Sequence, residues 1–288
     1  MLNLHPEMGR WSAGKRDKKG RTALYYALRY DAPSGVVELL LKSMKKEDIL
    51  EGDGEGNNVL GLVWDTWAIS MEGKKILGAI GKKLEDLNAL GKIDSEASWV
   101  KRMVYAEKLR TGLKGRVKLK WDTTNLLLRG AFRFPLEETN EEGEEGYDFC
   151  REHENTEDSN PQRKWRILHA TTAVRCHPTL FKMACAIHPE QAREIDENDL
   201  FSRPNGVSDR RATLHFASEN SSKDPRDMKE TRRMLQVLLS LHLQAASFIN
   251  PTDGRLPLHY LCKNDSKVHW FEDGLGDVHD AYPSAALT

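Results

Sequence analysis

The stretch DGRLPLHYLCKND, residues 253–265, begins with an Asp-Gly pair and continues into an apolar segment that contains a leucine followed by a histidine. Asp-Gly pairs supply the positive φ angles that a tight turn needs. Its core, GRLPLHYLCK (254–263), resembles four earlier segments of the chain. We call the five segments, in chain order, boxes one to five: GRTALYYALR (20–29), GNNVLGLVWD (56–65), KWRILHATTA (164–173), RRATLHFASE (210–219) and GRLPLHYLCK (254–263). Segments that recur in this way are typical of repeat proteins.

The boxes share one leucine, and three of them place a histidine directly after it. The leucines are Leu24, Leu60, Leu168, Leu214 and Leu258, and the histidines are His169, His215 and His259. Each box is predicted to open a short helix. Thr22 can cap the helix of box one, and Pro257 suits the first helical position in box five.

A second apolar segment follows each of the first four boxes. These segments are residues 33–44, 73–84, 177–187 and 227–242. The spacing of Leu235, Leu238 and Leu239 in the fourth predicts a helical face, and Asp227 with Glu230 three residues later predicts a capping box. The predicted unit is therefore a turn, a helix, a short connection and a second helix.

The boxes resemble the T-P-L-H-x-A signature of ankyrin repeats, with the closest matches in RLPLHYL and ATLHFA. The resemblance covers about residues 17–84 and 163–288. It implies an all-α, ankyrin-like helical solenoid of about five helix-turn-helix units, whose turns and first helices form a concave face. It also implies that the box histidine links backbone groups of neighbouring units.

The interval between boxes two and three is too long for one unit. We therefore predict ankyrin-like units one and two over residues 1–84, a helical insertion or degenerate unit over 85–136, and units three to five over 163–288. Residues 1–16 are interpreted as the tail of a preceding unit. The chain would then be a segment of a longer array, or its end units would pack on something else. The alternative is a chance recurrence of X-Pro turns.

Within the insertion, residues 95–112 and 123–132 predict helices, and the alternating residues 116–124 predict a strand or an irregular link. The following segment, 137–162, is strongly acidic: Glu137 to Asp158 carries eleven acidic residues and one arginine. This charge density predicts a disordered loop.

The sequence predicts no metal site, cofactor or catalytic centre. The three box histidines would be spaced along a stack, too far apart to share a zinc ion. Cys150 with His153 and Cys185 with His188 have ligand-like spacing, but nothing unites the two pairs. Phosphate-binding, nucleophile-elbow and metalloprotease motifs are lacking. An enzyme is thus the third interpretation, without supporting residues.

The predicted function is that of a non-catalytic scaffold or adaptor whose concave face binds another protein. In an ankyrin-like stack the residue two positions after the leucine faces this groove, and aromatic residues there would anchor a partner. The alternative is that these rings pad the core between units. The predicted partner-binding residues are Tyr26, Arg29, Phe216, Arg255 and Tyr260.

The runner-up function is nucleic-acid association through residues 100–120, which carry eight Lys or Arg and one Glu near Trp99, Tyr105 and Trp121. Two alternatives remain for this segment: a solvated helix face, which we prefer, or pairing with the acidic segment. The sequence contains no apolar run that would span a membrane and no secretory leader. An intracellular location, cytoplasmic or nuclear, is expected.

Overall fold

The computed structural model describes residues 13–54, 58–89, 96–132, 134, 164–174, 176–196, 211–219, 225–263 and 274–287. These ranges contain thirteen α-helices and no strand, apart from one isolated antiparallel bridge between Ile195 and Ala212. The all-α prediction is therefore confirmed for the described part of the chain. The predicted acidic loop lies outside the described residues.

The helices, in chain order, are α1 (Ala23–Arg29), α2 (Ser34–Ser43), α3 (Lys46–Leu50), α4 (Val59–Ala68), α5 (Met71–Ala89), α6 (Glu96–Gly112), α7 (Gly115–Ala131), α8 (Ile167–Ala173), α9 (Pro178–Ile187), α10 (Thr213–Glu219), α11 (Pro225–Leu241), α12 (Pro257–Lys263) and α13 (Leu275–Ala281). Short 3-10 turns follow α9, α11 and α13, at Pro189–Arg193, Leu243–Ser247 and Pro283–Leu287. In the described residues no helix is long and apolar enough to cross a bilayer.

The chain divides into two compact units. Unit 1 consists of Met1–Val63 with Trp121–Trp165, and unit 2 of Trp64–Lys120 with Arg166–Thr288. The division falls inside α4 and α7, whereas the sequence suggested segments that end near residues 84 and 136.

Every box opens a helix, and the shared leucine is always the second helical residue. All five leucines are buried: Leu24, Leu60, Leu168, Leu214 and Leu258. In box one, the Thr22 hydroxyl accepts a hydrogen bond from the Tyr25 amide and caps α1. In box five, Pro257 is the first residue of α12, where the missing N–H costs nothing.

In unit 2 the helix of each of boxes three, four and five forms a hairpin with the helix that follows it: α8 contacts α9, α10 contacts α11, and α12 contacts α13. The first helices also contact one another in chain order, α8 with α10 and α10 with α12, and so do the second helices. Each hairpin closes on a 3-10 turn that buries an alanine, namely Ala192, Ala245 and Ala285. The repeated sequence pattern thus corresponds to a repeated set of contacts.

Two local predictions are wrong. Residues 116–124 form part of α7 rather than a strand, because the buried residues recur with helical spacing over the longer segment: Val117, Trp121, Thr124, Leu128 and Ala131. Asp227 lies inside α11 rather than at its N-cap position, because α11 begins two residues earlier at Pro225, a residue whose fixed φ suits a helix start. The helix predicted over 95–112 is confirmed as α6.

Candidate protein-binding surface

Tyr260, a predicted partner-binding residue, belongs to the core of unit 2. Only 1% of its surface is exposed. Its hydroxyl donates to Oδ2 of Asp253 (2.7 Å) and accepts from Nδ2 of the buried Asn250 (2.7 Å). Burial, reinforced by the hydrogen bond to Asp253, raises the pKa of Tyr260 to about 12. The phenol is therefore a neutral, doubly bonded core group.

Phe216 is also buried, with 3% of its surface exposed. The rings of Phe216 and Tyr260 are each covered by the histidine of the preceding box, His169 and His215, at centroid distances of 6.1 and 5.5 Å. The guanidinium carbon of Arg211 lies 5.3 Å from the first ring and 5.1 Å from the second. The prediction of an exposed aromatic row is therefore wrong for Phe216 and Tyr260, whose rings instead fill the core between the hairpins.

Two box histidines of unit 2, those of boxes three and four, lie near backbone groups in or shortly before the next box. Nε2 of His215 lies 3.4 Å from the carbonyl oxygen of Arg255, and the imidazole of His169 faces backbone groups of Glu194 and Arg211. Burial lowers the pKa of His169 to about 3 and that of His215 to about 4. Both rings are therefore neutral at pH 7 and act as links between successive hairpins.

Box one also ties its tyrosine to its own turn, in a solvent-exposed setting. The Tyr26 hydroxyl donates to Oδ2 of Asp17 at 2.6 Å, and the other carboxylate oxygen accepts from the backbone amides of Lys19 and Arg21. The hydrogen bond lowers the pKa of Asp17 and raises that of Tyr26. Tyr26 is 37% exposed, and Asp17 is exposed as well.

Both turns require a glycine for the same reason. Gly20 and Gly254 have φ angles of 75° and 70°, a region that side chains disfavour. In each turn a side-chain oxygen accepts a hydrogen bond from the backbone amide two residues later. The amide of Lys19 donates to Asp17 (2.8 Å), and the amide of Thr252 donates to Asn250 (3.0 Å). The turn of box one is therefore built like the turn of box five.

The exposed aromatic surface of unit 1 extends along α1. The rings of Tyr26 and Tyr30 stack with centroids 6.4 Å apart, and 76% of the Tyr30 surface is exposed. Arg29 lies between them in the sequence and is exposed too. We call Asp17, Tyr26, Arg29 and Tyr30 the tyrosine surface.

The five predicted partner-binding residues do not share one surface of one unit. Tyr26 and Arg29 belong to the tyrosine surface of unit 1, whereas Arg255 lies in unit 2. The side chain of Arg255 is 42% exposed, and its nearest guanidinium nitrogen lies 3.9 Å from Asp253. Sequence reasoning missed Asp17, Tyr30 and Asn250. The signal for Asp17 and Asn250 was an acidic or amide residue seven or eight positions before the box leucine.

The basic segment 100–120 is partly engaged with the protein. Arg102 is buried, and Arg110 donates to the Ile187 carbonyl and pairs with Glu190. The aromatic residues are also engaged, since the Arg193 guanidinium lies 3.5 Å from the ring centroid of Trp99 and Trp121 is buried. The basic side chains that remain exposed are Lys101, Lys108, Lys114, Arg116 and Lys118. The arrangement resembles a solvated helix face more than a base-stacking platform.

In the described residues no group of three or more His, Cys, Asp or Glu side chains could hold a metal ion. Cys185 is buried, and His188 instead bonds Glu190 through Nδ1 at 3.1 Å. The Cys176 thiol lies 3.4 Å from the Thr171 carbonyl oxygen, and burial raises the pKa of Cys176 to about 12. Cys150 and His153 lie outside the described part of the chain.

The tyrosine surface is thus an exposed pair of stacked phenols beside a carboxylate and an arginine. Such a surface can bind a partner by stacking and hydrogen bonding. Comparison with the models of known protein families, with curated proteins and with solved structures found no match to this chain.

Proposed function

We propose that this chain is an ankyrin-like helical repeat protein that acts as a non-catalytic scaffold or adaptor and binds another protein through its tyrosine surface. The observation that carries the proposal is the stacked, exposed pair of Tyr26 and Tyr30 next to the exposed Arg29. Tyrosine and arginine are enriched among the residues that dominate binding energy at protein interfaces.

The repeat character supports this proposal. Five leucines occupy the same helical position, and three successive hairpins in unit 2 contact one another in chain order. Stacked hairpins create long surfaces without the enclosed, water-excluding pockets that catalysis favours. The buried or cation-covered state of Trp121 and Trp99 disfavours the nucleic-acid alternative.

Affinity capture from cell extract, followed by mass spectrometry, tests the proposal. The bait proteins are the unaltered chain, the double variant Arg29→Ala/Tyr30→Ala and the control Met71→Ala, which removes an exposed apolar side chain of unit 2. We expect specific proteins to be retained by the unaltered chain and the control. The double variant should lose about 2 kcal/mol or more of the free energy of binding to these proteins, which corresponds to a roughly 30-fold weaker Kd.

Circular dichroism of all three baits controls for helix content. An identical set of captured proteins for all three baits, or no specific protein for any of them, contradicts the proposed role of the tyrosine surface.

A further inference from the structure

The exposed pair Asp17–Tyr26 has a buried counterpart, the pair Asn250–Tyr260. Each pair joins the turn of its box to the tyrosine two residues after the box leucine, by a hydrogen bond of 2.6 Å in box one and 2.7 Å in box five. The direction of the bond differs: Tyr26 donates to Asp17, whereas Tyr260 accepts from Asn250 and donates to Asp253. Both tyrosines are nevertheless tied to the turn of their own box, and the difference in exposure comes from what covers the ring.

Box four supplies the cover for Tyr260. The imidazole of His215 meets the ring edge-on at 5.5 Å, and the guanidinium of Arg211 lies 5.1 Å from its centroid. Arginine over an aromatic ring and T-shaped ring pairs are both attractive arrangements. The cover of Tyr260 is thus an arginine and a histidine of the preceding box.

Box five carries the same two side chains in the same two places. Arg255 precedes the box leucine by three residues, as Arg211 does, and His259 follows it directly, as His215 does. His259 is half-buried and uses Nδ1 to accept the amide of Leu256 at 3.1 Å. The Arg255 side chain is 42% exposed. Box five therefore presents the arginine and histidine that box one would need as its cover.

We propose that a second copy of this chain binds the tyrosine surface, with Arg255 and His259 of one molecule covering Tyr26 and Asp17 of the next. This inference deepens the proposed function, on which it rests, by naming one partner of that surface. The charges agree, because the exposed Asp17 carboxylate of box one complements a guanidinium.

The contact joins two different patches, so it is head-to-tail. Contacts of this kind continue into rings or open filaments rather than stopping at a symmetric dimer. Self-association should therefore grow with concentration beyond the dimer, and it should weaken with salt because an exposed carboxylate and a guanidinium take part.

Sedimentation velocity on the purified full chain, from about 1 to about 200 μM, tests the inference over the range of weak to moderate affinity. Tyr26→Gln removes the ring but keeps a donor for Asp17. His259→Glu removes the imidazole but keeps an acceptor for the Leu256 amide, as a glutamate does at the third position of a helix. Met71→Ala serves as the unrelated control.

Each of the two interface variants alone should associate at least about 10-fold more weakly than the unaltered chain, a cost of about 1.4 kcal/mol. Each variant retains one intact patch, so an equimolar mixture of the two should associate again and stop at a dimer. Met71→Ala should behave like the unaltered chain, and circular dichroism should show equal helix content throughout.

A chain that stays monomeric over the whole range overturns the inference. So does an association that both variants leave unchanged, or a mixture that remains monomeric. The purified chain contains no other protein, so a negative result here leaves the capture experiment informative, and a failed capture experiment leaves this result informative.

Discussion

The imidazole ring of His215 lies edge-on against the phenol ring of Tyr260, with centroids 5.5 Å apart and planes at 85°. His169 meets Phe216 in the same way in the preceding pair of boxes, at 6.1 Å and 70°. T-shaped pairs of this kind contribute about 0.5–1.5 kcal/mol beyond the burial of their area. The hairpins of unit 2 are therefore linked by a repeated ring contact as well as by their leucines.

Acid should destabilise unit 2 through these histidines. Burial lowers the pKa of His169 to about 3 and that of His215 to about 4, whereas an unfolded histidine has a pKa of about 6.5. Below a pH of about 6.5 the unfolded chain binds protons that the folded chain excludes, so the free energy of unfolding decreases as the pH is lowered. The slope is at most about 1.4 kcal/mol per pH unit for each histidine.

Urea unfolding at pH values of about 7 and about 5.5, followed by circular dichroism, measures this effect. The double variant His169→Gln/His215→Gln should lose less stability between the two pH values, although it starts from a lower one. Equal pH dependence in both proteins contradicts the assignment of the acid sensitivity to these rings.

Tyr260→Phe should destabilise the chain more than Tyr26→Phe. The first change leaves the buried Asn250 amide without the hydroxyl oxygen that accepts from it, at a cost of about 1–3 kcal/mol. The second removes a hydrogen bond to the exposed Asp17, where water replaces the hydroxyl, and should cost less than about 0.5 kcal/mol. Urea unfolding of the two variants compares the loss of a buried hydroxyl with the loss of an exposed one, and equal losses would contradict the burial difference.

Gly73→Ala should be destabilising. A Cβ atom at Gly73 would lie 2.1 Å from the backbone carbonyl oxygen of Trp67, so α5 would have to move away from the end of α4. Overpacking of this kind costs about 1–3 kcal/mol. Gly78→Ala in the same helix meets no atom within 4 Å and should stabilise by about 0.5–1 kcal/mol. Opposite shifts of the thermal midpoint are expected, and shifts of the same sign would contradict the close approach of α4 and α5.

Leu214→Ala should remove much of the stability of unit 2. Leu214 is fully buried at the second position of α10, and α10 contacts the helices of both neighbouring boxes, α8 and α12. Truncation of a buried leucine costs about 2–5 kcal/mol. The control Leu39→Ala acts on a side chain that is mostly exposed and should cost less than about 0.5 kcal/mol. Denaturant titrations that show similar losses for both would contradict the central position of the box leucine.

Much of the fold could be read from the sequence because its signals are local. A leucine four residues after a glycine in boxes one, two and five, with Thr22 as a cap and Pro257 at a helix start, predicts where a helix begins. Segment 116–124 misled this reasoning, because alternation over a few residues does not distinguish a strand from one part of a long amphipathic helix. The helical period became visible only over the whole of α7.

The candidate site could be predicted only in part. The sequence identified Tyr26, Phe216 and Tyr260 as equivalent positions, but equivalence says nothing about exposure. Exposure depends on which side chains lie over a ring, and those come from residues distant along the chain, such as Arg211 for Tyr260.

The sequence by itself determined the helical units, since caps, turns and apolar spacing act within a few residues. Only the tertiary structure decided that Phe216 and Tyr260 are core residues and that Tyr26 faces solvent. The physical reason is that burial arises from the packing of one hairpin on another. Phe216 and Tyr260 each have a histidine and an arginine against the ring and belong to the core, whereas Tyr26 is exposed to solvent.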